Sequence, residues 1–112
     1  MRRSVDEALA DILVAAEDAA AIVAQGRVRF DDDRLLQRAA KNLVAEIGEA
    51  AKALPDEVVE QIPAVPWRAV KGMREKVVHD YPEVDLDVLW STLNGSMPDL
   101  ASRVRTYQAS LG

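Results

Sequence analysis

The stretch GMREKVVHDYPEVD, running from Gly72 to Asp85, holds the single histidine of the chain, His79. Arg74 lies five residues before it and Tyr81 two residues after it. An imidazole titrates near 6.5 when unperturbed, so His79 can give or take a proton at neutral pH. The planar fork of an arginine matches the oxygens of a phosphate. Arg68, Lys71, Arg74 and Lys76 fall between Trp67 and His79, against one acid, Glu75. This is a basic island suited to one phosphate or a few, on a protein whose net charge is −5. A general coat for nucleic acid would be basic throughout. Each residue also has an ordinary reading: an arginine with its stem covered and its head in water, a histidine at a helix end, a tyrosine packed on Trp90 or Val84. The residues alone leave both readings open.

These side chains need a helix to carry them. Pro66 and Pro82 bracket a helical run, and Pro82 biases Tyr81 away from helical geometry, so the spacing predicts a helix over residues 66–80. At about 100° per residue, Val70, Met73 and Val77 share a core-facing arc. Arg68, Lys71, Gly72, Glu75 and His79 share a polar arc. Trp67, Arg74 and Val78 form a third line, which either faces another chain or carries a covered arginine stem. Gly72 costs roughly 1 kcal/mol relative to alanine in a helix interior; it clears space for a close neighbour or is simply tolerated.

The rest of the chain reads as helices too, with alanine, leucine and valine at helical spacing. Ser4 and Glu7 match a capping box, ahead of an apolar face of Leu9, Ile12, Leu13, Ala16, Ala20 and Val23, with Gly26 as the stop. RFDDDR reads as a turn. Leu35, Leu36, Ala39, Leu43, Val44, Ile47, Ala50, Ala51 and Leu54 mark the next face, where Gly48 and the alanines allow close packing. PDEVVEQ predicts a turn or two of helix, and IPAVP a rigid approach to the motif helix. Asp85 caps LDVLWSTLN, Gly95 ends it, and Ser96 and Pro98 start the last helix. The expectation is an all-α antiparallel bundle of about five helices, in a single domain spanning 1–112.

Hydrophobic residues make up 49% of the 112 residues, enough for an unaided core. With no cysteine, neither disulfides nor thiolate metal sites are available. Acids interrupt the N-terminal apolar run, and no uncharged stretch approaches the ~18 residues of a membrane span. A soluble, cytoplasmic protein is expected. Asp80, Glu83, Asp85 and Asp87 lack the spacing of an EF-hand loop. No zinc spacing, nucleophile elbow or phosphate-binding glycine loop is present, so no metal and no cofactor are expected.

Arg74-x4-His79-x-Tyr81 resembles the R-x4-H-x-Y signature of the HepT-like ribonuclease toxins, within the HEPN superfamily. EIGEAAKALPDEV resembles that family's glycine–glutamate–alanine helix, VPWRAVKGMREKVVHDY its motif segment, and VDLDVLWSTLNGSMPDL its following helices. The resemblance covers nearly the whole chain. It implies an all-helical fold and a homodimer formed through the motif helix. It implies metal-independent RNA cleavage between protomers and a nucleotidyltransferase antitoxin of the MNT type. By motif position, Arg74 and His79 would be catalytic, and Tyr81 would be the tyrosine that the antitoxin silences with AMP. Glu75 departs from the pattern, which usually has a small polar residue there, often asparagine. A carboxylate repels phosphate unless Lys71 or Lys76 neutralises it, and Lys71 sits one turn away at i, i+4. Glu75 is alternatively a base.

Without thiolate or metal, cleavage would use the RNA's own 2′-hydroxyl as nucleophile, with a base, an acid and cationic donors. One chain supplies one imidazole, and a two-fold dimer supplies two. Arg74 and His79 lie ~140° apart on an ideal helix, so the arginine must reach or the site must draw on both chains. Two other functions compete: a non-catalytic helical partner that binds a nucleotidyltransferase or a nucleotide, favoured by Glu75 and the acidic total, and a plain dimeric scaffold.

Overall fold

The computed structural model describes residues 3–80 and 84–112. Among them the regular structure is entirely helical: α1 (Val5–Ala24), α2 (Arg27–Asp32), α3 (Arg34–Lys52), α4 (Asp56–Glu60), α5 (Trp67–Asp80), α6 (Leu86–Ser91), a π-helical turn (Thr92–Ser96) and α7 (Met97–Ser110). The all-α bundle expected from the sequence is present. Its buried side chains form one cluster, with Phe30, Leu9, Ile12, Ile47, Leu93, Met97 and Val104 fully enclosed.

The helix boundaries follow from local chemistry. Ser4 caps α1 by accepting from the Glu7 backbone N–H at 3.1 Å. Gly26 ends it with φ at 90°, a conformation that L side chains rarely adopt. The buried face of α1 is rotated slightly from the expected one: Ala19 and Ile22 are buried, while Ala20 is exposed. RFDDDR is not a plain turn. Arg27–Asp32 is helical because Phe30 is fully buried and Gln37 Nε2 donates to the Phe30 and Asp31 carbonyls, both at 3.0 Å. Asp33 then caps α3, accepting from Leu35 and Leu36.

Gly95 does not end a helix. Residues 86–110 form one continuous helical run that widens between Thr92 and Ser96, where the Met97 N–H reaches back to the Thr92 carbonyl. Pro98 accounts for this. Its ring would strike the carbonyl of residue 94 in a regular α-helix and it has no N–H to donate. The wider π turn removes that conflict while keeping Leu93 and Met97 in the core. Asp85 caps α6 as expected, accepting from the Asp87 and Val88 N–H groups.

Helix α5 packs principally against α3. The approach to it is fixed by Trp67, which is buried and donates from Nε1 to the Ile62 carbonyl at 2.9 Å. A line of contact with another chain through Trp67 is therefore not available: this indole belongs to the core. No described helix is long and apolar enough to cross a membrane.

Candidate active site

Helix α5 turns its expected core face inward. Val70 is buried, and Met73 and Val77 are half-buried against the core. Arg74 leaves on a different side. Gly48 of α3 lies against its backbone: a Cβ on Gly48 would stand 3.0 Å from the Arg74 nitrogen and 3.3 Å from the Val70 carbonyl oxygen. The close packing expected of Gly48 is realised, and its contact is the arginine's own backbone.

Because the two helices touch there, the next residue of α3 lies beside the guanidinium. Glu49 Oε1 is 2.5 Å from Arg74 Nε, with both side chains nearly half exposed. One turn on, Lys52 bonds to Glu75. Two ion pairs thus cross the α3–α5 seam in parallel. The hydrogen bond from Lys52, then one from Glu75's own backbone N–H, holds the Glu75 carboxyl below the usual carboxylate range, with the Lys52 and Arg74 charges adding to the effect.

Glu75 is therefore neutralised, but not by Lys71 or Lys76. Lys71 is half-buried on α5, and the partner comes from α3, which Gly48 brings within reach. Among the described residues, no ion pair involves Arg68, Lys71 or Lys76. Those three cations remain available for an anion.

His79 is exposed in the last turn of α5, five positions beyond Arg74 and so ~140° around the helix and ~7.5 Å along it. A single chain does not bring the two together on one tight face. Tyr81 lies outside the described residues, as does the side chain of Val78. Gly72 meets no atom within 4 Å of where its Cβ would stand. It opens instead onto an apolar cleft between α3, α5 and α6, lined among others by Val44, Met73, Lys76 and Val88. Trp90 packs its ring on Phe30, with centroids 5.2 Å apart, and carries the Arg27 guanidinium at 5.9 Å. Arg27 also pairs with Asp31 and Asp87. That cluster ties α2 to α6 and leaves the Trp90 ring occupied. No group of three or more His, Cys, Asp or Glu side chains among the described residues is placed to hold a metal ion.

Sequence reasoning did not single out Glu49 and Lys52. The signal was present: an acid and a base spaced i, i+3, starting directly after the glycine that meets α5.

An all-helical bundle carrying an exposed arginine and histidine on one helix is the architecture of a HEPN-type domain. The family described as HepT-like, ribonuclease HepT-like, matches residues 12–107, and the chain belongs to that family. It is 37% identical over 81 residues to "Putative RNase TTE0752" of Caldanaerobacter subterraneus subsp. tengcongensis, a match covering 70% of this chain and 72% of that one. It is 34% identical over 106 residues to "Probable ribonuclease HepT" of Thermococcus cleftensis, covering 92% of this chain and 94% of the relative. A third relative, "Putative RNase MJ1380" of Methanocaldococcus jannaschii, is 27% identical over 104 residues, covering 92% and 95%. No solved structure gives a significant match.

Proposed function

We propose that this protein is an endoribonuclease acting as the toxin of a toxin–antitoxin pair, with Arg74 and His79 as catalytic residues in a site shared by two copies of the chain. The observation that carries this reading is the exposure of Arg74 and His79 on one helix of a HepT-like ribonuclease fold. Their ~140° separation suits a site built by two chains better than one built by a single helix face.

In the proposed reaction one His79 imidazole takes the proton of the ribose 2′-hydroxyl. The 2′-oxygen attacks the adjacent phosphorus, and the bond from phosphorus to the 5′-oxygen breaks. The imidazolium of the second His79 protonates that leaving oxygen, giving a 2′,3′-cyclic phosphate and a 5′-hydroxyl. Arg74 holds the non-bridging oxygens as negative charge grows on them. Lys71 and Lys76, with Arg68, steer the polyanion toward α5. Glu75 is held by Lys52, which weakens its repulsion of phosphate. No metal takes part in these steps. Tyr81 is the proposed site of AMP addition by a nucleotidyltransferase antitoxin, which would place bulk and negative charge beside this helix.

The purified protein incubated with single-stranded RNAs in EDTA should cut them, and Arg74→Ala and His79→Ala should each lower the rate by on the order of 10²-fold or more. Equal cutting by wild type and His79→Ala removes the nuclease assignment. A second reading, a non-catalytic partner of a nucleotidyltransferase, is favoured by the carboxylates crowding Arg74. It is the outcome if no RNA is cut while the nucleotidyltransferase still binds.

A further inference from the structure

Arg74 is exposed, but its guanidinium has charged neighbours. It lies in a groove between α1, α3 and α5 whose charged lining is Arg3, Asp11, Glu46, Glu49 and Arg74 itself, three carboxylates against two guanidiniums. Two of those carboxylates have other partners: Asp11 faces Arg3 at 3.4 Å, and Glu46 accepts from Asn42 Nδ2 at 2.8 Å. Glu49 is the one set on Arg74, at 2.5 Å. Its placement is a consequence of the backbone, because the Gly48 contact holds Arg74 against the preceding residue of α3.

The contact is made at Nε, and both side chains are nearly half exposed. An ion pair this exposed is weak. A phosphate presents several oxygens to the terminal nitrogens of the same guanidinium and binds it as a fork. A phosphate can therefore displace Glu49, but only against the carboxylate's charge.

We propose that Glu49 is a displaceable counter-ion of Arg74, a competitor in the resting protein that the RNA phosphate must replace before Arg74 can hold it. The inference rests on the ribonuclease reading and adds a positioning residue that acts through Arg74. Replacing its charge should raise affinity for RNA through the arginine, and should lower KM without lowering kcat.

The test measures binding of a short single-stranded oligonucleotide, 2′-O-methylated at every ribose so that it cannot be cut, at one fixed salt concentration. Glu49→Gln should tighten binding about twofold to fivefold, the range of an exposed ion pair. Glu46→Gln, which removes a charge from the same groove without touching Arg74, should change it much less. In an Arg74→Ala background the gain from Glu49→Gln should fall to the Glu46→Gln level. Thermal melts of all variants check that the fold is kept. Weaker binding by Glu49→Gln, or a gain that persists undiminished without Arg74, overturns the counter-ion role and leaves the ribonuclease reading standing. Absence of binding by wild type and every variant overturns both.

Discussion

Gly48 of α3 lies against the backbone of Arg74 of α5, so close that a Cβ on the glycine would be 3.0 Å from the arginine's nitrogen. The three nearest atoms, the Arg74 nitrogen and Cβ and the Val70 carbonyl oxygen, are backbone or Cβ and cannot swing aside. Gly48→Ala must therefore push α5 away from α3, at a cost of about 1–3 kcal/mol. Gly72, on the same helix as Arg74, meets nothing within 4 Å. Gly72→Ala should stabilise the isolated chain by up to about 1 kcal/mol through helix propensity. Thermal or denaturant unfolding of the two variants should give opposite signs. If Gly72→Ala also lowers RNA cleavage, Gly72 is the place where a second copy or the RNA approaches.

The Glu75 carboxyl is held below its ordinary value of 4.5, first by its hydrogen bond from Lys52. A carboxyl depressed by folding adds stability that is fully present above 4.5 and disappears as pH falls through the lowered value. The stability difference between wild type and Glu75→Gln should therefore be constant near neutrality and shrink below pH 4.5. Urea unfolding at a series of pH values measures this. The pair is exposed, so salt should reduce the difference as well. A difference that grows on acidification would mean that Lys52 does not hold Glu75.

Trp67 is buried and donates to the Ile62 carbonyl. Trp67→Phe removes the donor and leaves the Ile62 carbonyl with only the longer bond from the Val65 N–H, at 3.3 Å, which should cost about 1 kcal/mol. Its association state in sedimentation should match wild type, since the indole is a core group. A shift toward monomer at unchanged stability would return Trp67 to a seam between chains.

Much of the architecture was legible because its signals are local. Ser4, Asp33 and Asp85 cap helices where an oxygen-bearing side chain precedes an apolar run, and Gly26 breaks one where φ is positive. The motif helix was legible from its flanking prolines. Misreadings came where a distant residue decides the outcome. Gln37 caps the last turn of α2 from the next helix, which no reading of RFDDDR reveals. Pro98 widens the helix at Gly95 rather than restarting it. At the candidate site, the resemblance to a family motif offered Arg74 and His79 as catalytic, while the sequence offered Lys71 or Lys76 as the partner of Glu75, a role that Lys52 of α3 fills. Helix-wheel angles describe one helix, and the two ion pairs belong to two.

Tyr81 gives a further expected outcome. Incubation with ATP and a partner nucleotidyltransferase should add one AMP to the wild-type chain and none to Tyr81→Phe, read by mass spectrometry of the tryptic peptide. The modified protein should bind single-stranded RNA more weakly, because the added phosphate repels the RNA backbone. Modification of Tyr107 instead would remove Tyr81 from the regulatory role.

The most direct test of a shared site uses two copies joined in one polypeptide: wild type with wild type, wild type with His79→Ala, and His79→Ala with itself. If both imidazoles serve one phosphate, the mixed tandem loses its acid or its base, and its cleavage rate should fall on the order of 10²-fold. Half the wild-type rate in the mixed tandem would show that each chain cuts RNA alone, contradicting a site built between two copies.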